Sequence, residues 1–385
     1  MKGSVLEFVE DLMQNAPRTS KDAVINYALK KYTFVQDRKV YRNNHFAVRF
    51  SYSRNHSFSN TILSLSALEK YDKIPFLVCL LSGQSTISFY LANTTFLKKI
   101  SHSSHYLSIN NIVGSFNGSD IMRSYQGIEN KPRNFEKLFA IHQGWDWIDN
   151  LERLVEASSL IKASSKRFTP TIIEKTNILN SINHAIRFCT HSNFQILFED
   201  LNNRCLKAKD LILVASRIEN VNIRGRIIEY LITTNEEGRK RIATQLQEME
   251  NALPVYDTKN GLGDYTRKFE KDDTYTDIKT KVIYLKSNPK AFNIDKFLRC
   301  MSEKTAVFLF YFVGINEDNN IETILCPVYS KRLIEGTRIQ THWSGRSSRG
   351  VTQFDGEMIN QLLAQKDIEI DGQKATDWVQ YLLSL

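Results

Sequence analysis

The amino-acid sequence predicts an α+β protein in two parts, a β-rich N-terminal domain and a C-terminal domain with a mixed central sheet flanked by helices. Three observations predict it. Between residues 45 and 116, short β-branched and aromatic runs alternate with polar turns. From 172 to 251 apolar residues recur at helical spacing. Beyond 264, apolar strand-length runs are separated by one helical stretch.

The first 32 residues read as two helices: Val5, Phe8, Val9 and Leu12 share a face, and Val24, Ala28 and Leu29 repeat the spacing after a break at Pro17. Residues 46–50, 76–81, 87–91 and 112–116 then read as strands of a small barrel or sandwich with helical additions. Helical spacing resumes over 144–160. The polar stretch Ala163-Ser164-Ser165-Lys166-Arg167 marks a boundary, giving domains at 1–165 and 166–385. Helices follow at 172–188, 194–204, 209–218, 223–232 and 236–251, the last opened by Thr234-x-x-Glu237 as a capping box. Strands at 277–285, 306–313 and 323–329 and a helix at 294–302 complete the pattern. No internal repeat is evident.

The chain has 385 residues and carries 51 Lys and Arg against 42 Asp and Glu, so a net charge of +9 favours a polyanionic partner. Three acids within the first eleven residues argue against a signal peptide, and no run reaches the ~18 apolar residues a membrane helix needs. A cytoplasmic location is expected. Five dispersed cysteines argue against a disulfide framework, and no P-loop motif is present.

The chemistry concentrates in Gly261-Leu262-Gly263-Asp264-Tyr265 and, twelve residues on, Asp277-Ile278-Lys279-Thr280-Lys281. In a strand, Asp277, Lys279 and Lys281 share one face, and Ile278, Thr280 and Val282 the other. Asp264 and Asp277 can give a hard divalent cation its carboxylates, and the Ile278 carbonyl a third oxygen. Lys279 would then lie beside the attacking water and offset charge on a phosphate. An Asp-x-Lys pattern is short, and a solvated strand face carries it too.

An acid followed by (Asp/Glu)-x-Lys on the next strand resembles the PD-(D/E)xK nuclease superfamily, and in particular the type II restriction endonucleases. The resemblance covers about residues 220–330. It implies a restriction-endonuclease-like α/β/α catalytic domain and magnesium-dependent hydrolysis of phosphodiesters in double-stranded DNA. Glu229, on the preceding helix, matches the acidic helix residue of many members. Leu262-Gly263 stands where the family often has a proline.

With a nuclease core, the segment from Thr341 to Gln353 is read as a DNA-contacting loop through His342, Arg346, Ser347, Arg349 and Gln353. Arg49, Tyr52, Arg54 and Asn55 form a second candidate DNA surface, on a domain that compares in architecture alone with the pseudobarrel recognition domains of some restriction enzymes. Cutting both strands commonly uses two active sites, so a homodimer is expected, with a companion DNA methyltransferase as a further partner. A non-catalytic DNA-binding regulator, or a repair or RNA-processing nuclease, is the competing expectation.

Overall fold

The computed structural model describes residues 4–53, 61–82, 86–101, 115–247 and 262–385. The protein is mixed α/β with mixed sheets. It divides into two compact units, Met1–Ser164 with Thr341–Ser347, and Ser165–Gln340 with Ser348–Leu385. Among the described residues no helix is long and apolar enough to cross a membrane.

The first unit opens with α1 (Ser4–Asn15) and α2 (Lys21–Lys31), the latter capped by the Ser20 hydroxyl, which accepts from the Ala23 amide. Strands β1 (Val35–Asp37), β2 (Val40–Arg42) and β3 (Ala47–Ser53) follow, then β4 (Ile62–Ser64), α3 (Leu65–Lys70), β5 (Phe76–Ser82) and β6 (Thr86–Leu91). Short strands β7 (Ser115–Asn117), β8 (Ser124–Tyr125) and β9 (Ile128–Glu129) precede α4 (Phe135–His142) and α5 (Trp147–Ser159). The main sheet runs β1-β2-β3-β5-β6.

The expected barrel, sandwich or pseudobarrel is corrected here to an open sheet between helices. β3 and β5 pair in parallel, which requires a crossover instead of a hairpin, and β1 and β6 are not paired to each other among the described residues. Every residue of β5 is buried, so both of its faces are covered. Val48, Phe50, Leu77 and Cys79 pack with α1, α2 and α4. Ala47, Val78 and Leu80 pack with Leu68 of α3 and with Leu151 and Leu154 of α5.

The second unit begins with α6 (Ile172–Thr190), opened by a capping box between Thr171 and Glu174. Then come α7 (Ser192–Lys207), α8 (Lys209–Ser216), α9 (Val221–Thr233) and α10 (Glu236–Gln247). The cap of α10 differs from the expected one: the Asn235 side chain, not Thr234, accepts from the amide of Gly238. Strands β10 (Tyr265–Lys268), β11 (Asp273–Val282) and β12 (Lys290–Asn293) lead to α11 (Ile294–Met301), β13 (Ala306–Ile315) and β14 (Ile321–Pro327). The chain closes with α12 (Lys331–Glu335), β15 (Thr337–Thr341), β16 (Gly350–Phe354), α13 (Gly356–Gln365) and α14 (Gly372–Ser384).

The central sheet runs β10-β11-β13-β14, with β11 and β13 parallel over ten residue pairs and both outer pairings antiparallel. All ten residues of β13 are buried. Phe310 and Phe312 pack on Phe354 from one face, while Tyr311 meets Phe198 of α7 from the other.

The two units share a connectivity that the sequence does not display. In each, an antiparallel pair (β2/β3, β10/β11) is followed by a crossover to a parallel partner (β5, β13) and an antiparallel strand (β6, β14). Each crossover contains a short strand, β4 or β12, then a helix, α3 or α11, and each short strand pairs outside the main sheet.

Candidate active site

β11 supplies the first two residues. Its parallel register sets Asp277, Lys279 and Lys281 opposite Phe310, Phe312 and Gly314, so all three side chains leave one face. Asp277 is buried, and the Lys279 ammonium lies 2.8 Å from its Oδ2.

Asp264 reaches the same place from the turn before β10. Gly263 sits at φ +83°, and a Cβ there would lie 3.1 Å from the Tyr275 Cβ and 3.2 Å from the Thr276 nitrogen. Only glycine takes that conformation and that approach without strain, so Gly263 shapes the turn that delivers Asp264. The Asp264 amide donates to the Thr276 carbonyl at 2.8 Å. Its Oδ2 then accepts the Ile278 amide at 2.7 Å, just past the Tyr265–Thr276 pair where the β10 ladder stops. The amide and carbonyl of one strand residue point to the same edge, so the Ile278 carbonyl is turned to the edge that carries Asp264.

Glu229 comes from α9, which packs on β11 through an apolar stripe containing Ile227 and Ile228. Its carboxyl lies near enough to those of Asp264 and Asp277 for the three to interact. Burial, then the charge of Asp277, pushes Asp264 up to about 8, against the pull of Lys279. Burial also raises Glu229. Burial alone would lower Lys279, but Asp277, Asp264 and Glu229 outweigh it and hold the lysine above its ordinary value. In this state Lys279 is a fixed cation.

The donor chemistry fits a hard divalent cation. Three carboxylates crowd until one retains a proton near neutrality, and a dication relieves that repulsion. The carboxylates are not gathered in ready ligand geometry, since among the described residues no three such groups are so arranged. Asp277 is turned onto Lys279 instead.

Lys281, on the same face, does something else. It is buried, and its Nζ donates to the carbonyls of Val282 (3.1 Å) and Leu285, with the Ser287 hydroxyl at 3.5 Å. It holds the chain that leaves β11.

The candidate DNA-contacting residues fall in both units. Thr341–Ser347, with His342, Arg346 and the exposed Ser347, belongs to the first unit, where the Ser164 amide donates to the Ser344 carbonyl at 3.0 Å and the Lys99 ammonium lies 3.7 Å over the Trp343 ring. Arg349 belongs to the second unit. It pairs with Asp295 at 2.5 Å, donates to the Phe168 carbonyl at 2.8 Å, and its side chain is only 10% exposed. Its Nη1 is committed to Asp295 and the Phe168 carbonyl, ties internal to the unit. Gln353 has both ends engaged, donating to the Asn288 carbonyl and accepting from Gln340. Arg49 and Tyr52 leave opposite faces of β3. Arg49 donates to the Lys39 carbonyl at 3.0 Å, whereas Tyr52 is exposed. Arg54 and Asn55 lie outside the described residues.

Compared with known proteins, the chain matches no family model, no curated protein and no solved structure.

Proposed function

We propose that the second unit is a magnesium-dependent DNA endonuclease, a PD-(D/E)xK-type core acting as a type II restriction enzyme on double-stranded DNA. The observation that carries this reading is the meeting of Glu229, Asp264, Asp277 and Lys279 at one edge of β11, delivered by a helix, a glycine turn and a strand. A mixed four-stranded sheet with helices packed on it supports the same reading.

Asp264, Asp277 and the Ile278 carbonyl would hold the magnesium, with Glu229 beside them. Bound there, the ion supplies a polarised water and offsets charge on the phosphate under attack. Lys279 contributes a cation fixed by its carboxylate neighbours, aimed at the scissile phosphate and preorganised before substrate arrives. Burial of the site strengthens each of these interactions over its value in water.

Incubating the purified protein with plasmid DNA, with and without magnesium, tests the reading. Discrete fragments that require magnesium and vanish in Asp277→Ala and Lys279→Ala are expected, with DNA binding retained by both variants. Undiminished magnesium-dependent cleavage by both variants would place the catalytic centre elsewhere. Sedimentation on cognate DNA tests the homodimer that cutting two strands calls for.

A further inference from the structure

A second site lies in the same unit, away from the carboxylates. Helices α7 and α9 and the start of α10 enclose a cavity of about 890 Å³. Its wall carries Arg204, Lys207, Arg239 and Lys240 against two acids, Asp200 and Glu236. Both acids are already engaged. Asp200 accepts from the Tyr265 hydroxyl and pairs with Arg204 and Arg267. Glu236 pairs with Lys240 at 3.4 Å, both well exposed.

That leaves cationic groups without a counter-charge. Lys207 has no ion pair among the described residues. Arg239 donates through Nε to the Leu231 carbonyl at 2.9 Å, which orients the guanidinium and leaves its terminal nitrogens unspent. Burial and the neighbouring Arg204 lower Arg239 and outweigh the opposing charge of Glu236. A concave wall that concentrates like charge and fixes one fork in place is arranged for an anion with several acceptor oxygens.

The cavity is joined to the active site by two short links. Thr233 lines it and lies one turn after Glu229 on α9, about 6 Å along the helix axis, with its hydroxyl donating to the Glu229 carbonyl. Tyr265, which bonds Asp200 of the cavity wall, directly follows Asp264. The cavity and the carboxylates thus share the last turns of α9 and the start of β10.

We propose that this cavity binds a backbone phosphate of the nucleic-acid strand that occupies the site at β11, with Arg239 and Lys207 as its principal contacts and Arg204 as support. The proposal rests on the nuclease reading for the strand's position, and not for the binding itself. It assigns the cavity no base contact, so its contribution is independent of sequence.

The test uses the full chain without magnesium, so that no cleavage enters. A short fluorescent duplex is titrated at several salt concentrations against wild type, Lys207→Glu, Arg239→Ala, Arg239→Lys and the control Lys304→Ala, an exposed lysine elsewhere on the unit. Lys207→Glu and Arg239→Ala are expected to weaken binding several-fold for every duplex sequence. Each should flatten the dependence of log affinity on log salt by about 0.9 for each phosphate that is no longer neutralised. Lys304→Ala is expected to stay near wild type, and Arg239→Lys to keep the salt slope while losing part of the affinity that the fixed fork supplies. Melting curves check folding, and Lys207→Glu removes no internal bond, so its result stands even if Arg239→Ala is destabilised. Unchanged affinity and salt slope in Lys207→Glu would overturn the proposal. Competition separates the sources of phosphate: inorganic phosphate or a mononucleotide that binds wild type while duplex fails to displace it would make the cavity a small-anion site and overturn the backbone assignment. If the wild type never cuts DNA but the cavity variants still weaken binding, the nuclease reading fails and this one survives.

Discussion

At the scale of single residues, the carboxylate cluster has a measurable cost. Asp264 is raised to about 8 in the folded protein, whereas an unfolded chain ionises it near 4. Between those values the folded state holds one proton more than the unfolded state, so stability falls as pH rises from about 4 to about 8 and then levels off. Asp264→Asn keeps an oxygen for the Ile278 amide and removes the titration. The metal-free variant is therefore expected to melt at a higher temperature than wild type at neutral pH, with a flatter pH profile, and to lose cleavage. A melting profile that still declines through this range in the variant would reassign the titration. Lys281 shows the limit of face alternation as a guide. Its position beside Lys279 was legible, but its burial and its bonds to Val282, Leu285 and Ser287 were not, since they depend on how the chain turns after β11. Lys281→Ala should retain magnesium-dependent cleavage while losing about 1–3 kcal/mol of stability in denaturant unfolding, because two carbonyls lose a charged donor.

At the scale of elements, α6 to α11, β11, β13 and β14 were legible because their periods are long and unmixed, whereas β10, β12, β15, β16 and α12 to α14 were not anticipated. The run that forms β13 is apolar at both parities, and the structure covers both its faces. Residues 76–82 of the first unit carry the same signal, and there too it marks a covered sheet and not a barrel. The spacing of Asp264 and the Asp-x-Lys strand was visible, whereas the turn at Gly263 was not, and the basic cavity draws its cations from helix faces that look merely solvated in sequence. Arg349 resembles a loop residue in sequence because its partners lie 54 and 181 positions away. Through Asp295 and the Phe168 carbonyl it joins α11 to the lead-in of α6 beside β16. Removing one member of a buried pair strands the other charge, so Arg349→Ala is expected to cost about 3–5 kcal/mol by denaturant titration. Altered sequence selection at unchanged stability would return the residue to a recognition role.

At the scale of the whole molecule, the two units repeat one strand connectivity on sequences that share no visible repeat. Connectivity is carried by where crossovers and hairpins fall, and many side-chain choices satisfy it. The first unit is also discontinuous, since Thr341–Ser347 belongs to it. A fragment of residues 1–165 should therefore fold but melt below a version in which 341–347 is fused to its end, as Trp343 regains Lys99 and Ser344 regains Ser164. Equal melting temperatures would show that the segment adds nothing. The discontinuity bears on how the chain is made. A ribosome releases the N-terminal residues first, yet their last piece emerges only after Ser347, and the second unit still awaits β16, α13 and α14 at that moment. Neither unit is finished until residues beyond Ser347 have been made. A product stalled before Ser347 leaves two incomplete units, each with unsatisfied surface, and is expected to be cut by proteases more readily than the finished chain.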